Sequence, residues 1–216
     1  MNQKKLKNII TEIIFQKIPF CLFYGANKFS YEIPAKSVIL SGSFNPFHVG
    51  HKQMLLAAQK ETNYNALIEI SITNVDKDEL IISDIQKQID MVNDHKFPLI
   101  VSNAPRFFEK SNLFPESIFL IGNDTFERLF DVKYYNDLKT SIALPINQNL
   151  EIIKENGCKF LVAGRTSENN IFNNMDSSLI PKKFKFMFSS LKESQFRNDI
   201  SSTKIRNLSR RKNEHR

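Results

Sequence analysis

The stretch SVILSGSFNPFHVGHKQML, from Ser37 to Leu55, decides the fold class of this chain. Its first four residues, SVIL, form a short apolar run that is typical of a buried strand. The glycine and proline in the next segment turn the chain, and the residues after His51 follow a helical pattern. A buried strand followed by a helix is the repeating step of an α/β fold.

The rest of the chain repeats this alternation of short apolar runs and helical patterns. The sequence predicts further strands at residues 66–72, 98–103, 117–122, 159–165 and 184–188. It predicts helices at residues 6–14, 82–95, 124–130, 150–155 and 201–210. Strands separated by crossover helices form a parallel sheet covered on both faces. We therefore expect the α/β class with a doubly wound parallel sheet.

The length of 216 residues suits one main domain with a well-buried core. We predict an N-terminal amphipathic helix and lead-in over residues 1–36, the main domain over 37–209 and a basic tail over 210–216. The N-terminal helix packs either on its own domain or on a partner. Residues 166–181 are rich in asparagine and serine, so we expect a surface loop there.

Composition and charge exclude several functional classes. No apolar run is long enough to cross a membrane and no signal-peptide cleavage site is present, so we expect no membrane partner. The two cysteines form neither a disulfide framework nor a zinc-type pattern, which favours a cytoplasmic location. The net charge is +7, and five basic residues against one acidic residue in 206–216 supply +4 of it. A solvated C-terminus explains this charge better than a nucleic-acid partner.

The residues after the first strand have the features of a phosphate site. In open α/β sheets, ligands bind beyond the carboxyl ends of the strands. Exposed amides in a turn and at a helix start near Gly50 attract anions. His48 and His51 are three residues apart, so they share one helical face and can donate hydrogen bonds to phosphate oxygens. The alternative is that both histidines are loop residues that cap the helix.

A second candidate phosphate site lies near the C-terminus, in NDISSTKIRNL. Ser201, Ser202 and Thr203 precede a predicted short helix, and Arg206 follows one turn later. Hydroxyl groups at a helix start can cap the helix or bind phosphate, and the guanidinium group is a planar, charged donor. Taken alone, the motif fits a capped surface helix. Together with the first motif it predicts the second half of a polyphosphate clamp.

The two motifs together resemble those of the HxGH nucleotidyltransferase superfamily, which is cytidylyltransferase-like. GSFNPFHVGH, from Gly42 to His51, matches the pattern GSFNPxHxGH, and ISSTKIR, from Ile200 to Arg206, matches ISSTxIR. The resemblance covers about residues 37–208, and the GSFNP form is similar to nicotinamide or nicotinate mononucleotide adenylyltransferases. It implies a Rossmann-like fold of the HUP type. It also implies that a mononucleotide phosphate attacks the α-phosphorus of ATP and that pyrophosphate leaves.

The resemblance implies that His48, His51 and Arg206 are the catalytic residues. The histidines would contact the phosphates of ATP, and the arginine would hold the β and γ groups. Mg²⁺ would accompany ATP, and no metal ligand is predicted within the chain. The catalysis then consists of positioning and charge stabilisation without a covalent intermediate.

The remaining candidates bind the nucleotides, and they are Gly42, Ser43, Phe44, Gly50, Lys77, Gly122, Asp124, Ser201, Ser202 and Thr203. The resemblance places the first three along the bend between ATP and the acceptor phosphate, and the C-terminal hydroxyls on the β and γ phosphates. Gly50 lets a phosphate approach the backbone closely. Lys77 would face the acceptor phosphate, with a solvated loop lysine as the alternative. Gly122 and Asp124 would accept ribose hydroxyls, although the aspartate could instead cap its helix.

The expected partners are ATP and nicotinamide mononucleotide or a related phosphorylated acceptor, and the sequence is compatible with a homo-oligomer. The alternatives are a cytidylyl- or adenylyltransferase for another metabolite, such as phosphopantetheine, and a non-catalytic nucleotide-binding regulator. The chain has no tryptophan to stack on a pyridine ring. Phe107 and Phe108 either stack on a base or belong to the core.

Overall fold

The computed structural model describes residues 3–25, 28–44, 46–72, 83–90, 96–131, 145–166 and 172–197. The helices in these ranges are α1 (Gln3–Ile14), α2 (Val49–Thr62), α3 (residues 83–90), α4 (Phe107–Leu113), α5 (Asn123–Phe130) and α6 (Ile146–Glu155). The strands are β1 (Phe20–Phe23), β2 (Phe29–Ser30), β3 (Ser37–Ser41), β4 (Asn65–Ser71), β5 (Leu99–Ser102), β6 (Ile118–Gly122), β7 (Lys159–Ala163), β8 (Arg165–Thr166), β9 (Phe172–Asn173) and β10 (Phe188–Leu191). Two 3₁₀ helices precede β10, at Ser177–Leu179 and Lys182–Met187.

Eight of these strands form one sheet in the order β10-β7-β6-β3-β4-β5-β1-β2. The strands from β10 to β5 run parallel, whereas β1 is antiparallel to β5 and β2 is antiparallel to β1. When the six parallel strands are renumbered along the chain, their spatial order is 3-2-1-4-5-6. This is the doubly wound, Rossmann-like order, so the predicted fold class is confirmed.

Helices cover both faces of the sheet, which explains the apolar runs of its central strands. In β3, Val38 and Leu40 belong to one hydrophobic core, whereas Ile39 between them belongs to the other. The first core contains the apolar faces of α1, α2 and α3, and the second contains those of α4, α5 and α6. Because successive side chains of a strand point to opposite faces, a strand covered on both sides is apolar at nearly every position.

The N-terminal helix packs on its own domain. α1 buries Leu6, Ile9, Ile10 and Ile13 in the first core, as the helical spacing predicts. The chain then forms the β1–β2 hairpin, which extends the sheet beyond β5. This hairpin is not predicted from the sequence, because the strand FCLF continues the apolar segment without alternation.

The predicted strand over residues 184–188 is wrong in all but its last residue. Phe184 and Met187 are buried in a 3₁₀ helix, while Lys185 and Phe186 between them are exposed. This three-residue spacing fits a 3₁₀ helix rather than the alternation of a strand. The strand β10 begins only at Phe188.

Other parts of the sequence-based description differ from the structure or lie outside it. The helix α4 is not predicted from the sequence, and the predicted loop over residues 166–181 contains β9 and a 3₁₀ helix. The predicted helix over 201–210 and the basic tail lie outside the described residues, and the division into segments stays a prediction. Among the helices of the described ranges, none combines the length and the apolar character that crossing a membrane requires.

Candidate functional site

The topology of the sheet creates a crevice beyond the carboxyl ends of β3 and β6. These strands are neighbours, and Leu40 of β3 pairs with Leu120 of β6. From β3 the chain continues to β4 on one side, and from β6 it continues to β7 on the other. Ligands bind at such a switch point in open α/β sheets. The candidate residues of Gly42–His51 and of Gly122–Asp124 follow these two strands, so the fold brings both groups to one edge.

Two aromatic side chains anchor the turn after β3. Phe44 and Phe47 are buried in the first core, and their ring centroids are 5.6 Å apart. Phe44 has a φ of 43°, a left-handed conformation that a bulky residue rarely adopts. A Cβ atom added to Gly42 would lie 3.2 Å from the Phe44 ring, so a larger residue there would have to displace this ring slightly. Gly42 and Ser43 themselves are exposed at the sheet edge.

His48 and His51 cap the start of α2 with one nitrogen each. The amide of Gly50 donates to Nδ1 of His48 at 3.2 Å, and the amide of His48 donates to Nδ1 of His51 at 3.3 Å. The two rings stack with centroids 3.7 Å apart. The capping interpretation is therefore confirmed. Capping leaves the other ring nitrogen for a ligand, because a neutral imidazole whose Nδ1 accepts carries its proton on Nε2.

Burial keeps both imidazoles in the neutral form. Desolvation lowers the pKa of His48, and desolvation together with the neighbouring His48 lowers the pKa of His51 to about 4. The His51 ring packs against Phe44 and Phe47 at centroid distances of 5.1 and 5.3 Å, which removes water from it. Near pH 7 each ring thus offers one Nε2–H donor without a positive charge.

The residues after β6 form the other side of the crevice. Gly122 occupies the cap position of α5, and among the described residues no atom outside its chain neighbours and the helix backbone lies within 4 Å of the place where a Cβ atom would be. Asp124 lies in the first turn of α5 and pairs with Arg165, so the interpretation of Asp124 as the helix cap is wrong. Asn123 is buried, and its Oδ1 has no hydrogen-bond partner among the described residues. This side of the crevice is open around Gly122, and its exposed acceptor is the carboxylate of Asp124.

Several candidates lie outside the described residues. They are Lys77, Ser201, Ser202, Thr203 and Arg206. Their roles stay predictions.

A buried charged network that is not predicted from the sequence lies at the same edge. Lys110 of α4 donates to both carboxylate oxygens of Glu69 in β4, at 2.8 and 2.7 Å, and their side chains are only 4% and 1% exposed. Ser102 at the end of β5 also donates to Glu69, at 2.6 Å. The signal that could have revealed this network is Glu69 itself, a charged residue inside the apolar run ALIEISI.

Phe107 and Phe108 lie between the second core and a cavity. The Phe107 ring contacts Phe119 and Phe160 at centroid distances of 5.3 and 5.4 Å, which supports the core interpretation. The cavity of about 170 Å³ lies between α4, α5 and α6, and both phenylalanines line it. In the part of the chain that the structure describes, no three histidine, cysteine or acidic side chains form a group suited to a metal ion.

Comparison with models of known protein families places the chain in a family. The model of the family described as cytidylyltransferase-like matches residues 39–208. The matched range contains the turn after β3, the residues after β6 and the ISSTKIR motif. A search of curated proteins found no match.

Proposed function

The chain belongs to the cytidylyltransferase-like family, and we propose that it is an adenylyltransferase that joins ATP to nicotinamide mononucleotide. Family membership supports a nucleotidyltransferase activity in general. The observation that supports nucleotidyl transfer from ATP is the pair of stacked, neutral histidines at the start of α2. Their Nε2–H groups are the donors available for the phosphates of ATP. The choice of acceptor rests on the resemblance of the GSFNP form to nicotinamide mononucleotide adenylyltransferases.

In the proposed reaction, an oxygen of the acceptor phosphate forms a bond to the α-phosphorus of ATP. The bond from that phosphorus to the bridging oxygen breaks, and pyrophosphate leaves with the electron pair. Negative charge therefore moves from the attacking phosphate to the leaving group. Preoriented donors aimed at this charge stabilise the transition state, and removing one costs about a hundredfold in rate or more.

The structure supports this proposal in two further ways. The 14-residue helix α2 begins beside the turn, so its positive dipole end favours bound phosphate. The open space at Gly122 and the exposed carboxylate of Asp124 suit the ribose of ATP. In this proposal Mg²⁺ arrives with ATP as part of the substrate. Arg206 and the hydroxyls of Ser201–Thr203 would hold the β and γ phosphates.

The donor and acceptor are tested with a panel of substrates. Full-length protein and Mg²⁺ are incubated with ATP or CTP and, in separate reactions, with nicotinamide mononucleotide, nicotinate mononucleotide or phosphopantetheine. We expect pyrophosphate release with ATP and nicotinamide mononucleotide, together with a product of the mass of NAD. A folded His51→Ala variant serves as the inactive control. Turnover only with CTP, or only with another acceptor, would replace the proposed substrate within the same family.

A further inference from the structure

A buried ion pair ties α4 to the edge of the sheet that bears the candidate site. Lys110 uses its ammonium group on both oxygens of Glu69, and on the carbonyl of Ala104 at 2.6 Å. Ser102 completes the network by donating to Glu69 and by accepting the amide of Ala104 at 3.2 Å. The network therefore joins β4, β5, the connection after β5 and α4.

Stability alone does not explain why this position is charged. Removing two charges from water is costly, and apolar residues of similar volume often replace a buried ion pair without loss of stability. The surroundings would suit apolar residues, since Leu67 and Ile100 lie next to Glu69 in the second core. In some proteins such a buried pair instead fixes one geometry of the elements that it joins.

Glu69 also holds Gly42, the first residue of the turn after β3. Its main-chain carbonyl accepts the amide of Gly42 at 3.1 Å, and Ser41 is its register partner in β3. The side chain of Glu69 thus fixes α4, while its backbone fixes the point where the chain leaves β3. A displacement of β4 at this point would move the Gly42 amide directly.

Charge balance gives the pair a second effect on the site. Ser41 and Glu69 are register partners, so their side chains lie on the same face of the sheet, at the edge where phosphate is proposed to bind. An uncompensated carboxylate here would repel an anionic substrate. The ammonium group of Lys110 compensates this charge at hydrogen-bond distance.

We propose that Glu69 and Lys110 are positioning residues, which act through the Glu69–Gly42 main-chain bond to set the turn for phosphoryl transfer. The catalytic part of this inference rests on the proposed function. The placement of the turn does not, so it is tested separately.

The test uses the double variant Glu69→Leu, Lys110→Met, which replaces the charges with apolar groups of similar size. Amide hydrogen exchange is measured by NMR. We expect protection of the Gly42 amide to fall severalfold, up to about tenfold, as for one lost hydrogen bond. The amides in the middle of β3 should keep their protection. Unchanged protection at Gly42 in a folded double variant would overturn the inference, whatever the substrate is.

Kinetics then test the effect on catalysis. With the acceptor that the substrate panel identifies, we expect kcat of the double variant to fall about tenfold or more at unchanged KM for ATP, since small displacements are costly in rate. Full kcat would show that the pair is only structural. If the double variant does not fold, Ser102→Ala removes both hydrogen bonds of the serine hydroxyl, to Glu69 and from the Ala104 amide, and keeps the ion pair. Like the double variant, Ser102→Ala should lower both the protection of the Gly42 amide and kcat. The inference would be overturned if either quantity stayed unchanged.

Discussion

Two polar clusters lie at the same edge of the sheet, and they use their hydrogen-bonding groups in opposite ways. Each histidine at the start of α2 accepts a backbone amide at Nδ1, and its Nε2 is not used in capping. Glu69 and Lys110 direct their charged groups at one another and at neighbours in the protein. The first cluster is partly buried and neutral, whereas the second is fully buried and charged. The difference separates groups that can meet a substrate from groups that hold the site in place.

The largest expected effect on stability comes from removing one partner of the buried Glu69–Lys110 pair. Lys110→Met leaves the carboxylate of Glu69 buried without its cation, so we expect the free energy of unfolding to fall by about 3–5 kcal/mol. Urea unfolding measures this change. The control is Lys87→Met, because Lys87 pairs with Asp84 at the surface, where such pairs contribute about 0–1 kcal/mol. Equal losses in the two variants would mean that burial does not distinguish the pairs.

The next effect separates the two nitrogens of His48. In His48→Asn the amide oxygen takes the place of Nδ1 and keeps the cap, but the Nε2 donor is lost. In His48→Gln the amide nitrogen approaches the position of Nε2, but the cap is lost. We expect the asparagine variant to lose about a hundredfold in rate with little change in stability.

The glutamine variant should lose about 1 kcal/mol of stability. Its activity should fall less than that of the asparagine variant. Pyrophosphate release and urea unfolding, measured on both proteins, give the comparison. If both variants lose the same activity, the assignment of capping to Nδ1 and of phosphate binding to Nε2 is wrong.

The third effect is a pH dependence that belongs to the histidine cluster. Burial lowers the pKa of His51 from 6.5 to about 4, so the unfolded chain binds more protons than the folded chain between these values. The free energy of unfolding should therefore fall as the pH decreases from about 6.5 towards 4, by at most about 1.36 kcal/mol per pH unit for one proton. His51→Asn removes the titrating group. Urea unfolding between pH 4 and pH 8 should give a smaller slope for the variant than for the wild type, and parallel slopes would contradict the assignment.

The parts of the molecule that the sequence predicts correctly are those that local pattern determines. The strand, turn and helix of residues 37–62 follow from apolar runs, glycine, proline and helical spacing. The switch point then follows from the strand order, which brings Gly122 to the same edge as Gly42. The pairing of Glu69 with Lys110 joins residues 41 positions apart, and no local pattern encodes it. The sequence alone does not reveal that Asp124 pairs with Arg165, since Arg165 lies beyond a different strand.

The smallest expected effect concerns that pair, which is charged like Glu69–Lys110 but exposed at the surface. Arg165 and Asp124 are 46% and 54% exposed, so Arg165→Ala should change the free energy of unfolding by less than about 1 kcal/mol. Added salt should weaken even this contribution, because exposed charges are screened. If Asp124 accepts a ribose hydroxyl, Asp124→Asn should raise the KM for ATP more than the KM for its 2′- or 3′-deoxy analogues. Arg165→Ala should keep the wild-type preference, because the carboxylate remains. If the wild type and both variants prefer ATP over its deoxy analogues to the same extent, Asp124 belongs to the surface ion pair alone. Of the two residues predicted to bind the ribose, Gly122 would then remain.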